Sequence, residues 1–178
     1  MRRSAGFTLV ELMVYLALLV AGTIVIAGLE LTAARAAFLE RSLVDLGMEG
    51  DEISTRFRDD VRQSLHSEDA LDSKKGGAFL ILTEPRGVVR WEVESPAQVE
   101  KAGPMTRLDK GRLVRKVFEK GATTASRTQV FVHFDRLVLT RSGAELRLEL
   151  TLAASRGGEV TARRTYAVSA VPVAEEAP

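Results

Sequence analysis

One acidic residue, Glu11, lies at the start of a long apolar segment. The eighteen residues from 12 to 29 include no Asp, Glu, Lys or Arg. A carboxylate inside such a helix costs about 2.5 to 3.5 kcal/mol on membrane-insertion scales, so it is usually functional and usually has a partner. The chemistry that the sequence predicts for Glu11 is therefore pairing with a cation, and not proton transfer to a substrate.

The other residues that could carry chemistry form weaker patterns. His66 and His133 are the only histidines, and we find no HExxH motif, no cysteine-based zinc spacing and no Gly-rich phosphate loop. Residues 67–72 offer three carboxylates, but two lysines follow at once, which disfavours a calcium site. We therefore predict no catalytic residue, no metal and no cofactor, and we expect that the chain is not an enzyme.

A group of basic residues between positions 112 and 127 is a candidate surface for DNA. Electrostatic binding of phosphates requires the charges to lie on one face. In a strand, Arg112 and Lys116 share a face whereas Arg115 points away, and acidic residues are interspersed. A solvated edge that discourages aggregation is favoured over a DNA contact. The group consists of Arg112, Arg115, Lys116, Lys120 and Arg127.

The apolar segment that carries Glu11 is long enough to cross a membrane. A helix over residues 7–29 is about 35 Å long, and a hydrocarbon core is about 30 Å thick. A secretory signal peptide has a shorter apolar core followed by small residues at a cleavage site, whereas here Gly22 and Thr23 precede further apolar residues. A plain signal anchor fits the length and the basic flank Arg2-Arg3, which should stay cytoplasmic. It does not explain Glu11.

Residues 6–12, GFTLVEL, follow a basic leader and open the apolar segment. This arrangement resembles the N-terminal signature of type IV pilins and type II secretion pseudopilins. The resemblance implies that a prepilin peptidase cleaves between Gly6 and Phe7 and that Phe7 is then methylated. It also implies that Glu11, the fifth mature residue, pairs with the N-terminal amine of a neighbouring subunit during assembly. The physics agrees, because a buried charge needs an opposite charge close by and cleavage creates one at Phe7.

The same resemblance implies partners and a location. The partners are other pilin or pseudopilin subunits, the prepilin peptidase and an inner-membrane assembly platform. The N-terminus would be cytoplasmic and the C-terminal domain periplasmic, before the protein enters a pilus or pseudopilus. Three features look like the J-type minor pseudopilins and the W-type minor pilins, with a place at or near the filament tip. They are residues 57–62, the hairpin-like stretch 108–113 and the paired C-terminal strands.

Two alternatives remain open at this stage. The same scaffold could display an adhesive or DNA-binding surface, although a formal net charge of +1 gives no sign of nucleic-acid binding. The chain could also be a single-span membrane protein that has no role in a filament and keeps residues 1–6.

The apolar pattern continues beyond the membrane segment at spacings of three and four. It predicts one helix from about residue 7 to about residue 65, with a possible kink near residues 47–50. From residue 78 the period changes to two, which predicts strands at 78–83, 89–93, 112–119, 146–152 and 160–171, and one strand or a bent pair over 130–140. Residues 95–105, which contain Pro96, Gly103 and Pro104, are predicted to form a loop. The helical stripe is Leu39, Leu43, Leu46, Gly50, Ile53, Phe57, Val61 and Leu65.

One long helix followed by antiparallel strands defines an α+β fold, in which the stripe covers the apolar face of the sheet domain. We predict a leader at 1–6, a transmembrane and assembly helix at 7–30, an amphipathic continuation at 31–66, a periplasmic β domain at 67–172 and a tail at 173–178. The chain has no cysteine, so packing alone must hold the periplasmic domain together.

Overall fold

A computed structural model describes residues 8–68 and 77–172. The described residues form one helix and ten strands, and every strand pair is antiparallel. The α+β prediction is confirmed: one long N-terminal helix packs on an antiparallel β domain. The elements are α1 (Leu9–Gln63), β1 (His66–Glu68), β2 (Gly77–Glu84), β3 (Gly87–Glu94), β4 (Gln98–Ala102), β5 (Met105–Asp109), β6 (Arg112–Glu119), β7 (Arg127–Phe131), β8 (Phe134–Ser142), β9 (Glu145–Arg156) and β10 (Glu159–Ala170).

The chain divides into two compact units, Met1–Arg41 and Ser42–Pro178. In the first unit, α1 exposes its large apolar side chains between residues 9 and 31, which range from 50% exposed at Val20 to 75% at Leu9. Over its most apolar window the helix has a mean hydropathy of 2.5, so it is apolar enough, as well as long enough, to cross a membrane. Length and composition are thus consistent with membrane anchoring.

In the second unit, α1 buries one face. Leu46, Ile53, Phe57 and Val61 are fully buried at spacings of seven and four, which places them on the same side of the helix. This confirms the predicted stripe over residues 46–61. The helix continues without interruption through residues 47–50, where a kink was considered possible.

The predicted stripe is wrong at both ends, where its leucines are exposed instead of buried. Leu39 and Leu43 are 41% and 45% exposed, and Leu65 is 43% exposed. The helix ends at Gln63, and the Ser64 hydroxyl donates to the Val61 carbonyl at 2.7 Å. Residue 65 therefore no longer follows helical spacing, and the chain enters strand β1 at His66 rather than continuing as helix to residue 66.

The strands form two five-stranded sheets that share one hydrophobic core with α1. The first sheet has the order β1-β2-β3-β6-β7 and the second the order β10-β9-β8-β5-β4. Trp91 and Leu113 of the first sheet, Leu137 and Leu148 of the second, and Phe57 of α1 belong to the same buried cluster. The strand patterns gave no sign of this division into two sheets.

The chain changes sheets between β5 and β6. These strands follow each other directly, but β5 pairs with β4 and β8 whereas β6 pairs with β3 and β7. Residues 108–113 are therefore a crossing between sheets and not a hairpin. The backbone turns through left-handed conformations at Lys110 (φ 56°) and Gly111 (φ 101°), and a Cβ on Gly111 would lie 2.7 Å from the Glu94 carbonyl oxygen.

The strand predictions are confirmed for β2, β3, β6, β9 and β10. The segment over 130–140 contains two separate strands, the end of β7 and most of β8, which belong to different sheets. The predicted loop at 95–105 is wrong, because it contains β4 and the first residue of β5. Gly103 has a left-handed backbone (φ 57°) between these two strands. The prolines and the glycine thus flank strand β4 and shape its turn, instead of preventing the strand.

Candidate functional site

Glu11 lies in the first turn of α1, where Thr8 holds its carboxylate. The backbone N–H and the hydroxyl of Thr8 both donate to Glu11 Oε2 at 2.9 Å, and the N–H of Glu11 donates to Thr8 Oγ1 at 3.3 Å. This reciprocal arrangement is a capping box, which satisfies N–H groups that have no partner inside the helix. The Thr-x-x-Glu spacing was the signal in the sequence that indicates it.

The capping box leaves Glu11 able to make a further bond. Both donors from Thr8 use Oε2, so Oε1 remains an acceptor for another group. The side chain is exposed, and no Lys or Arg of the described ranges 8–68 and 77–172 forms an ion pair with it. Gly6 and Phe7, the predicted cleavage and methylation residues, lie outside the described residues.

This N-terminal segment carries the similarity to known proteins. Residues 1–27 match the family described as the prokaryotic N-terminal methylation motif. The match includes the leader, Glu11 and most of the apolar segment, and it ends before the β domain. It supports the resemblance to pilins and pseudopilins and processing by a prepilin peptidase. No curated protein and no solved structure gives a significant match to the chain.

A buried ion pair joins α1 to the first sheet. Arg115 of β6 donates to Asp60 of α1 through Nε at 2.7 Å and Nη2 at 2.5 Å, and Trp91 Nε1 donates to Asp60 at 2.9 Å. Asp60 is 4% exposed, Arg115 8% and Trp91 0%. The hydrogen bond to Asp60 raises the pKa of Arg115, and burial together with the negative charge of Asp60 raises the pKa of Glu84. Nothing in the sequence pattern indicated this pair.

The three members of the basic group that lie on β6, Arg112, Arg115 and Lys116, are paired with carboxylates. Arg112 donates to Glu94 through Nε at 3.0 Å, and Lys116 Nζ contacts Glu92 at 2.6 Å and Glu94 at 3.3 Å. The hydrogen bond from Arg112 is the main cause that lowers the pKa of Glu94. Because Arg115 is buried against Asp60, the three cations do not form one exposed face, as strand alternation predicted. This arrangement disfavours a DNA contact here.

The two histidines do not form a metal site with other residues in the described ranges. His133 Nδ1 contacts Glu49 Oε2 at 2.5 Å, and the His133 backbone N–H donates to Glu49 Oε1 at 3.1 Å. His133 is thus a partly packed residue that fixes the end of β7 to α1. Within the described residues, no group of three or more His, Cys, Asp or Glu could hold a metal ion. Asp69 and Asp72, two of the three carboxylates in the disfavoured calcium site at residues 67–72, lie outside the described residues.

Proposed function

We propose that the protein is a structural minor pilin or pseudopilin. A prepilin peptidase removes residues 1–6, Phe7 becomes the methylated N-terminus, and the mature chain is assembled into a type IV pilus or a type II secretion pseudopilus. The single observation that carries this proposal is the N-terminal methylation motif over residues 1–27, joined to a helix that can cross a membrane. A pilin-type subunit acts by assembly, and no catalytic role is assigned to it.

In this proposal Glu11 has two bonding functions. Within its own chain it closes the capping box with Thr8. In the filament its carboxylate pairs with the N-terminal amine at Phe7 of a neighbouring subunit, in a bundle of anchor helices where water is excluded. Such a pair avoids the cost of burying an isolated charge. The two functions are compatible, because the Thr8 donors use only Oε2.

The location of the protein, its partners and its subunit class follow from the same proposal. The protein is inserted in the inner membrane with its C-terminal domain in the periplasm, and its partners are other pilin-like subunits, the prepilin peptidase and the assembly platform. The J-type or W-type class and a place at or near the filament tip are supported by the resemblance of residues 57–62 and by the paired C-terminal strands β9 and β10. A DNA-binding role has less support, because the cations of β6 are paired with carboxylates. An adhesive surface on the same scaffold stays an alternative.

The substitution Glu11→Gln separates the two functions of Glu11. Glutamine at this position of a capping box retains the cap, but it cannot form an ion pair. We expect normal cleavage and at least about a tenfold loss of incorporation into filaments, because breaking a buried ion pair costs several kcal/mol. The measurement is the amount of mature protein recovered with partner pilins from sheared filaments.

The matched control is Thr8→Ser, which retains both the hydroxyl and the charge on Glu11. We expect this variant to be cleaved and incorporated like the wild type. Wild-type incorporation of Glu11→Gln would contradict the ion pair and would leave Glu11 with a capping function only.

A further inference from the structure

An open groove of about 520 Å³ lies between α1 and strand β7. Strand β7 is an edge of the first sheet, since its only neighbour in that sheet is β6. The groove walls include Asp45, Met48 and Glu52 of α1 and Gln129 and Val130 of β7. The groove lies entirely within the second unit of the chain, residues 42–178.

The groove is rich in hydrogen-bond acceptors. Asp45, Glu49 and Glu52 contribute three carboxylates, and the nearby His133 is held by Glu49. Gln129 Nε2 donates to Glu52 Oε1 at 2.5 Å. Its other amide atom, Oε1, is buried and has no hydrogen-bond partner among the described residues. This oxygen is closed to solvent, so the acceptors that an occupant can reach are the carboxylates of the exposed residues Asp45 and Glu52.

Exposed apolar side chains accompany the carboxylates. Met48 and Val130 line the groove and are 69% and 45% exposed. Grouped apolar side chains with charged neighbours are typical of protein interaction sites. The chemistry of the groove therefore fits an occupant that has both apolar groups and several positively charged donors.

We propose that this groove is a docking surface for a segment of a neighbouring, different subunit, which inserts an arginine or lysine flanked by apolar side chains. A guanidinium has several donors in a fixed geometry and can bond two carboxylates at once. The inference rests on the proposed function, because an assembled subunit requires contacts between neighbours. Anionic lipid head groups fit poorly, since the carboxylates repel them.

The test uses the full chain in its host membrane, with a photo-crosslinking residue at Met48. We expect an adduct with another pilin-like subunit. After digestion with a protease that does not cleave at Lys or Arg, we expect mass spectrometry to find a Lys or Arg next to the cross-linked position of the partner. Val160, an exposed apolar position on β10, is the control site. The same crosslinker there should give no adduct with the partner subunit that is captured at Met48.

Charge reversal tests the electrostatic part of the proposal. Asp45→Lys with Glu52→Lys should lower the adduct yield at Met48 at least about tenfold, because it replaces attraction by repulsion. Exchanging the partner's basic residue for Glu should restore the yield. Asp59→Lys with Glu159→Lys, a matched reversal of exposed carboxylates outside the groove, should leave the yield unchanged. Asp45→Asn with Glu52→Gln removes the charges with little change of shape and should also lower it.

Several results would overturn the docking surface. They are an adduct no stronger than at Val160, an adduct only with lipid or with a second copy of this chain, and a yield that does not respond to the charge changes. Failure of the proposed function is recognised separately in the same cells, by retention of residues 1–6 or by normal incorporation of Glu11→Gln. If cleavage and the dependence on Glu11 hold while the adduct fails, the groove alone is rejected.

Discussion

Asp60 is the residue on which the attachment of α1 to the first sheet depends most directly. It accepts hydrogen bonds from Arg115 and Trp91 while almost fully buried. A buried charge of this kind is tolerated only when its partner is present, and the loss of one partner leaves the other uncompensated. Together the three side chains fix the position of the helix against strands β3 and β6.

We expect Asp60→Asn to destabilise the fold by about 3 to 5 kcal/mol, because it leaves the Arg115 charge buried without a counter-ion. For a chain of this size this corresponds to a fall in Tm of roughly 6 to 20 °C. Trp91 is the only tryptophan and contacts Asp60 directly, so its fluorescence during a thermal melt of the full chain in detergent reports the change.

The matched control is Asp59→Asn, which removes a neighbouring exposed carboxylate and should leave Tm unchanged within about 2 °C. Replacing the pair together, as Asp60→Leu with Arg115→Met, should recover most of the loss, since two apolar groups need no counter-ion. A melt of Asp60→Asn that coincides with the wild type would show that the ion pair contributes nothing to stability.

Sequence alternation predicted the side of β6 on which Arg115 lies, but not its partner. Strand alternation predicted that Arg115 points away from Arg112 and Lys116, and the structure places it in the interior. The partner, Asp60, lies 55 residues earlier on α1. Local patterns describe which face a residue occupies, but they contain no information on which distant residue meets it there.

At the scale of elements, α1 meets the second sheet through a small residue. Gly50 is buried, and a Cβ at this position would overlap the ring of Tyr166 on β10. The Tyr166 hydroxyl donates to the carbonyl of Leu46, one turn earlier on the helix, at 2.8 Å. Gly50 thus allows the edge strand of the sheet to approach the helix closely.

We expect Gly50→Ala to lower stability by about 1 to 3 kcal/mol, because the added methyl must displace an aromatic ring in a packed site. The corresponding fall in Tm is roughly 2 to 12 °C. The measurement is a thermal melt of the full chain followed by circular dichroism.

Gly47→Ala on the same helix is the control. There the added Cβ would meet only the end of the flexible Arg164 side chain, at 2.9 Å, and alanine favours a helix over glycine by about 1 kcal/mol. We expect Gly47→Ala to melt at or above the wild-type temperature. Equal losses for both variants would mean that the contact with Tyr166 is not the cause.

The elements themselves were more predictable than their arrangement. Period two identified strands such as β6 and β9, because one face of each is buried and the other is not. Strand β4 was missed, because its residues are mostly exposed and its flanking prolines indicated a loop. The chain passes between the two sheets after β3, after β5 and after β7, and strand pairing over such distances has no local signature.

At the scale of the whole molecule, the two ends of the chain gave different kinds of information. The first 27 residues match a described motif, and this motif supports the processing and the assembly that we propose. The β domain was recognised as a fold class from periodicity alone, and the groove beside β7 was not predicted. Its residues come from α1 and β7, about 80 residues apart, and only the folded chain brings them together.

The proposed cleavage would also change the charge of the molecule. The formal net charge of the full chain is +1, and removal of Arg2 and Arg3 with the leader would bring the side-chain charge to −1. The new amine at Phe7 would then be the cation nearest in sequence to Glu11. The central claim is that proteolysis creates the partner for a carboxylate that the membrane would otherwise disfavour.

The most direct test of this claim is the intact mass and N-terminal sequence of the protein purified from its host. We predict a chain that begins at Phe7 with one methyl group on its amine. Gly6→Ala should retain all six leader residues in the same measurement, as should the wild-type chain in a host without prepilin peptidase. A wild-type protein that begins at Met1, or at any residue other than Phe7, would contradict the account.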